Sequence, residues 1–246
     1  MKKSNYEWAF DSVKKLSQKL DVIAEIGSRD GLDSIFLAET FRSDINYIFE
    51  ADPSLIKLIR ENVENTKNQD IFKIFNIAVG DQNKDVQFFA VDTDKYDNLG
   101  VGSLYKINFG NRVKKDPDRN RESVQKAINI KMKKYSSLNL ETPDLIAMDV
   151  QGAELDVLKG FEHQLNEVKF IILETNISEN YIGASKFLEV HNFLKNNFML
   201  HLNSRHGKKS FRLFLDNFKH RISFKKTYQG EVDLLYVNRE FYNNNK

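Results

Sequence analysis

The sequence predicts an α/β fold: one mostly parallel sheet with helices packed on both faces. Three observations carry that expectation. Short apolar runs alternate with segments whose apolar residues recur every three or four positions. The runs Leu145–Val150 and Phe170–Leu173 are near-continuous in apolar residues, as in parallel strands covered on both faces. The last two runs, Phe198–Leu202 and Val232–Val237, have no amphipathic repeat between them, which predicts a hairpin-like ending with the final strand antiparallel.

The elements follow in order. Tyr6, Ala9, Phe10, Val13, Leu16 and Leu20 recur at helical spacing and predict a leading helix within residues 1–20. Asp21–Ile26 reads as the first strand, Asp30–Phe41 as a helix and Ile45–Phe49 as the second strand. Asp52-Pro53 supplies an N-cap and a first-turn proline for a helix over Pro53–Val63. Phe72–Val79 reads as the third strand, Glu154–Phe161 and Ile182–Asn197 as later helices. Two insertions, residues 81–134 and 203–230, interrupt the alternation and are expected near the substrate. The first holds Val86–Val91 and Ile128–Met132 as extra strands. A single domain over residues 1–246 accounts for the whole pattern.

Composition narrows the classes of function. The 246 residues are 41% apolar and 12% aromatic, enough for a sizeable core. The net charge of +2 gives no global basic field, so nucleic acid is not an expected partner. With no cysteine there are no disulfides, thiolate metal sites or cysteine nucleophiles. No apolar run spans a bilayer and no signal core opens the chain, so the expected location is the cytoplasm.

The stretch AEIGSRDG, Ala24–Gly31, joins the first strand to its helix. Glycines there can serve a tight turn or leave room for a ligand against the chain. The following helix N-terminus offers free N–H groups. Glu50 closes the next strand, where nucleotide-binding α/β folds place an acid against ribose hydroxyls. Ser28 and Arg29 stand where a dinucleotide fingerprint has its second glycine, and no phosphate loop is present. A ligand with an amine, a carboxylate and a ribose but no phosphate fits better, with Glu25 facing the amine. S-adenosylmethionine has those groups.

The run Asp144–Phe161, DLIAMDVQGAELDVLKGF, joins this set. With AEIGSRDG, FEADPS at 49–54, NIAVGD at 76–81, Gly102-Ser103-Leu104 and FIILE at 170–174, it resembles the FkbM-type methyltransferases. The resemblance covers residues 21 to 174 and, more loosely, extends to Leu202. It implies a class I Rossmann-like methyltransferase fold, a seven-stranded sheet whose last strand is antiparallel. It also implies S-adenosylmethionine as cofactor and methyl transfer to a hydroxyl, often on a sugar or glycan. Carried over, Glu25, Gly27, Ser28 and Gly31 form the cofactor turn and Glu50 with Ala51 the ribose site. Ala78, Val79 and Asp81 lie near the adenine; Asp149, Gly152 and Glu154 close the fourth strand. The chain departs from the family pattern at Ala147, Gln151 and Tyr135–Leu138, which bears on substrate contacts.

A hydroxyl acceptor must lose its proton during transfer, which calls for a base. Asp149 is the first candidate, and binding the methionine amine is an equal alternative for it. Glu174, ending the next strand, is the second candidate, and His206, in the late insertion, the third. Glu154, in a first helical turn, reads as structural. Asp92, Asp94 and Asp97 do not make a calcium loop, because Tyr96, Asp97 and Ser103 occupy its key positions, and no metal is expected. Lys208, Lys209 and Arg212 sit among the basic residues of the late insertion; they form a solvated face or attract an anionic acceptor. The rival readings are a nicotinamide-dependent oxidoreductase and a non-catalytic cofactor-binding or assembly module of the same fold.

Overall fold

The structure, a computed structural model, describes residues 4–92, 99–108, 125–208, 212–214 and 230–245. A leading helix, α1 (Glu7–Lys14), buries Ala9, Phe10 and Val13. It ends earlier than its apolar repeat suggests, and Leu20 reaches the core from the turn that follows. Then come β1 (Val22–Ile26), α2 (Leu32–Phe41), β2 (Ile45–Phe49), α3 (Ile56–Glu64) and β3 (Phe72–Phe75). A small second sheet is made by β4 (Ala78–Val79), β5 (Lys84–Val91) and β6 (Gln125–Lys133). The main sheet resumes with β7 (Leu145–Met148), α4 (Glu154–Gly160), β8 (Phe170–Asn176), α5 (Phe187–Leu194), β9 (Phe198–Asn203), β10 (Glu231–Asn238) and α6 (Arg239–Asn244).

The main sheet has seven strands in the order β3-β2-β1-β7-β8-β10-β9. Strands β3, β2, β1, β7 and β8 pair in parallel, while β10 lies antiparallel between β8 and β9. This is the class I methyltransferase-like sheet with its inverted last strand. Alternation along the central strands divides two cores. Ile23, Leu145, Ala147, Phe170, Ile172, Leu235 and Val237 pack with α1 and α2. Ala24, Ile26, Ile146, Met148, Ile171, Leu173, Leu234 and Tyr236 pack with α4 and α5. Burial on both faces explains why these strands read as unbroken apolar runs.

Further differences from the sequence reading have local reasons. The run Phe72–Val79 is not one strand: Phe72–Phe75 pairs with β2, then the chain turns and Ala78–Val79 pairs with β6. The helix after Asp52 starts at Ile56 because the Asp52 Oδ1 accepts from the Ser54 N–H (2.9 Å) and hydroxyl (2.6 Å), holding a turn first. The helix expected over Ile182–Asn197 is confined to Phe187–Leu194. Upstream, the 181–182 backbone is committed to the first insertion, with Tyr181 bridging Ile107 and the Ile182 N–H donating to the Lys106 carbonyl at 2.8 Å. The closing helix α6 was not legible as a repeat; it is set by Asn238, whose side chain accepts from the Glu240 and Phe241 N–H groups.

Val86–Val91 and Ile128–Met132 fall within β5 and β6, which pair antiparallel from Lys84 to Val91. Of the phenylalanines in the late insertion, Phe214 packs against the rings of Phe187 and His191, while Phe211, Phe218 and Phe224 lie outside the described residues. Lys209, Asp94 and Asp97 also lie outside them.

Candidate active site

A cleft opens at the carboxyl ends of β1, β2 and β7, where ligands of open α/β sheets bind. Its floor is the turn after β1. Gly27 sits at φ 82°, and a Cβ there would lie 2.2 Å from the Asp149 carbonyl oxygen, so β1 and β7 approach too closely for a side chain. Gly31 caps α2 at φ 76°, and its Cβ would press on Ile59 at 3.1 Å. Both glycines are therefore explained by the protein's own packing. Glu25 braces the same turn: its Oε2 accepts from the Ser28 and Ser34 hydroxyls, the latter at 2.6 Å. Burial, then repulsion from Asp33, pushes its carboxyl up to about 8 against those two bonds.

Glu50 stands just beyond β2, buried, and is held by two backbone donors. The Asp52 N–H reaches Oε1 at 2.7 Å and the Arg29 N–H reaches Oε2 at 2.8 Å. Burial pushes its carboxyl up to about 7, opposed by these bonds. The wall beside it is apolar: Phe49, Leu55, Ile77, Ala78 and Val79. A buried acid next to an apolar slot suits a ribose with an adenine, and Arg29 is the one cationic side chain among the described lining residues. The residues present thus fit an adenosyl group.

Across the sheet a row of carboxyls shares one face. Strand alternation puts Glu25, Asp149, Glu174 and Asp233 on the α1 side. Asp149 and Glu174 each follow the registered pair Met148–Leu173, and Glu174 is registered with Asp233. Gln151 bridges the first two: its Nε2 donates to Asp149 Oδ1 at 2.6 Å and reaches Glu174 Oε1 at 3.4 Å. The Tyr181 hydroxyl donates to Gln151 Oε1, and the Ser103 hydroxyl to the Gln151 carbonyl at 2.8 Å. Burial raises the Asp149 carboxyl, opposed by the Gln151 bond; Glu231 and Asp233 push further up and Arg29 down. Burial also raises Glu174, followed by repulsion from Asp149, Glu231 and Asp233.

Of the sequence-derived residues, Glu25, Gly27, Ser28, Glu50, Ala51, Ala78, Val79 and Asp149 line this cleft. Gly31 supports it from behind through the α2 cap. Glu174 stands one strand past the lining, joined to it through Gln151. His206 lies in the turn after β9, its N–H bonded to Asn203 Oδ1 at 2.8 Å, and is not among the lining residues. Glu154 is buried in the first turn of α4, with Oε1 accepting the Gly152 N–H at 2.9 Å. Sequence reasoning missed Asn5, Tyr6, Asp33 and Phe88 as lining residues. Asn5 and Tyr6 lie in the turn ahead of α1, Asp33 in α2 and Phe88 in β5, and they are assembled only by tertiary contact. Among the described residues no group of three histidines or carboxylates could hold a metal ion, and no helix is long and apolar enough to cross a membrane.

Comparison with known proteins agrees with this geometry. A family model described as "Methyltransferase FkbM domain" matches residues 21–207. The 2-O-methyltransferase NoeI of Sinorhizobium fredii (strain NBRC 101917 / NGR234) is 29% identical over 178 residues, which is 70% of this chain and 70% of that protein. The crystal structure of methyltransferase FkbM from Methylobacillus flagellatus KT superposes with a TM-score of 0.50 at 12% identity, covering 89% of this chain. The match spans 44% of that longer protein, and at this identity the likeness concerns the fold.

Proposed function

The chain belongs to the FkbM methyltransferase family, and from that premise we propose that it transfers a methyl group from S-adenosylmethionine to a hydroxyl oxygen of a sugar or glycan. The observation that carries the reading is one cleft holding both Glu50, beside an apolar slot, and Asp149, at the end of β7. The relative named 2-O-methyltransferase supports oxygen as the acceptor atom.

Bound there, S-adenosylmethionine supplies a sulfonium methyl already activated for in-line displacement. The protein's part is alignment and proton handling. Glu50 and Ala51 would hold the ribose, and Ile77, Ala78 and Val79 the adenine. Glu25 would keep the turn Gly27–Gly31 in shape through Ser28 and Ser34 and present a carboxyl beside the amine, whose positive charge favours the ionised form. Asp149 is the proposed base. Its burial raises its basicity toward neutrality, where a carboxylate can take the acceptor's proton. Glu174 is proposed as the alternative base; Gln151 donates its amide N–H groups toward both carboxyls and orients the pair. His206 is proposed to contribute only for an acceptor long enough to reach the turn after β9. Lys208 and Arg212 are proposed to draw an anionic acceptor toward that side.

The test is a methyl-transfer assay with labelled S-adenosylmethionine and an acceptor panel of neutral, acidic and phosphorylated sugars, with small amines and nucleic acid as controls. Label appearing in a base-stable sugar ether supports the reading. Label on nitrogen or on nucleic acid contradicts it.

A further inference from the structure

The leading segment of the chain reaches the cleft although it precedes the span matched by the family model, which begins at residue 21. Tyr6 is the N-cap residue of α1, is 5% exposed and lines the cleft beside Asn5. A clasp seats this segment. The Asn5 backbone N–H donates to Asp33 Oδ1 at 2.9 Å and the Asn5 side-chain amide to Asp33 Oδ2 at 3.0 Å. Asp33 is itself buried in the first turn of α2, where the helix dipole favours an acid. One residue of the leading segment therefore satisfies both oxygens of an acid on the helix that follows the glycine turn.

The ring of Tyr6 packs in the cluster of Phe10, Ile23, Ala147 and Ile172. That is the face that carries Glu25, Asp149 and Glu174. Burial first, then the charges of Glu25, Asp149, Asp33 and Glu174, push the phenol well above its ordinary ionisation range. It is therefore a neutral O–H at physiological pH, which can donate once and accept as well. Carboxylates alone leave an ammonium with acceptors of one kind and much like-charge strain among them. A neutral phenol close enough to feel these carboxyls can donate to one of them or offer its lone pairs to an incoming N–H. The apolar slot of Phe49, Leu55, Ile77, Ala78 and Val79 serves the other part of an adenosyl ligand.

We propose that Tyr6 is a ligand-contacting residue that receives the ammonium-bearing amino-acid end of the adenosyl ligand, and that the Asn5–Asp33 clasp seats it. The proposal rests on the methyltransferase reading. It assigns a cofactor-binding role to residues ahead of the family's matched span and makes the leading segment one wall of the site.

Two probes separate the two ends of the ligand: S-adenosylhomocysteine, and 5′-methylthioadenosine, which lacks the amino-acid end. Calorimetric Kd values are compared for the wild type, Tyr6→Phe and Asn5→Ala, with melting curves to confirm folding. Loss of a hydrogen bond to a charged group predicts that Tyr6→Phe raises the Kd for S-adenosylhomocysteine about tenfold or more and changes that for 5′-methylthioadenosine less than about twofold. Asn5→Ala, which removes the side-chain half of the clasp and keeps the backbone N–H bond to Asp33, is expected to show the same selectivity with a smaller change. Equal binding of S-adenosylhomocysteine by the wild type and both variants overturns the inference and leaves the methyltransferase reading intact. An equal loss for both probes overturns it too, because the effect is then on the fold. Failure of the wild type to bind either probe overturns the methyltransferase reading itself, and the inference with it.

Discussion

At the scale of single residues, the site is governed by close backbone approach and by buried acids. Gly27 is needed because β1 and β7 meet there: a Cβ at 2.2 Å from the Asp149 carbonyl has nowhere to go, and φ 82° is unfavourable for any other residue. Gly27→Ala should cost on the order of 3 kcal/mol from strain and overpacking combined, which lowers Tm by roughly 6–12 °C in a chain of this size. A melt unchanged within about 2 °C would show that the contact relaxes freely. Asp149 can be a base or an ammonium partner, and the two roles separate in one variant. As a base, Asp149→Asn should lower kcat about 10²- to 10⁴-fold while the Kd for S-adenosylhomocysteine stays nearly constant. A loss confined to Kd would instead assign it to the amine. Sequence reading found Gly27, Glu50 and Asp149 because each closes or follows a strand in a recognisable run. It could not find Asn5 or Tyr6, because the partner of Asn5, Asp33, lies 28 residues away and is joined to it only by folding.

At the scale of elements, the buried acids make stability depend on pH. Glu154 at the start of α4 is the informative case. Its Oε1 takes the Gly152 N–H, its Oε2 makes no hydrogen bond among the described residues, and burial raises its carboxyl to about 8, opposed by the Gly152 bond. Glu25 and Glu50 are raised likewise, to about 8 and about 7. A carboxyl whose folded pKa is above its unfolded value binds more protons in the folded state, so its contribution is complete below the unfolded pKa and is lost as pH rises through the folded one. The unliganded protein should therefore lose stability between about pH 4.5 and pH 8. Glu154→Gln, which cannot ionise, should flatten that decline; an unchanged slope of Tm against pH would remove Glu154 from the account. The strands of the main sheet were legible because burial on both faces leaves continuous apolar runs. The split of Phe72–Val79 was not legible, since Ala78 and Val79 are equally apolar whether they extend β3 or pair with β6. The shortened α5 was hidden for a similar reason: Ile182 fits a helical repeat, and the pairing of 181–182 with the 106–107 backbone holds it out of the helix.

At the scale of the whole molecule, the order β3-β2-β1-β7-β8-β10-β9 places the carboxyl ends of β1, β2 and β7 side by side, and the cleft lies there. The inverted β10 extends the same acidic face through Asp233. The insertion segment 99–108 folds back onto the turn after β7 through Ser103 and Tyr181, so an excursion from the α/β repeat becomes part of the site wall. The family signature was legible in short local runs, whereas the placement of the insertions was not, because no periodic pattern sets it. The most direct measurement is a calorimetric titration of the purified protein with S-adenosylmethionine, S-adenosylhomocysteine and NAD, alongside Glu50→Ala. The account predicts that both adenosyl compounds bind, that Glu50→Ala weakens both about tenfold or more by removing charged hydrogen bonds, and that NAD does not compete. Binding of NAD alone, or adenosyl binding untouched by Glu50→Ala, would contradict it.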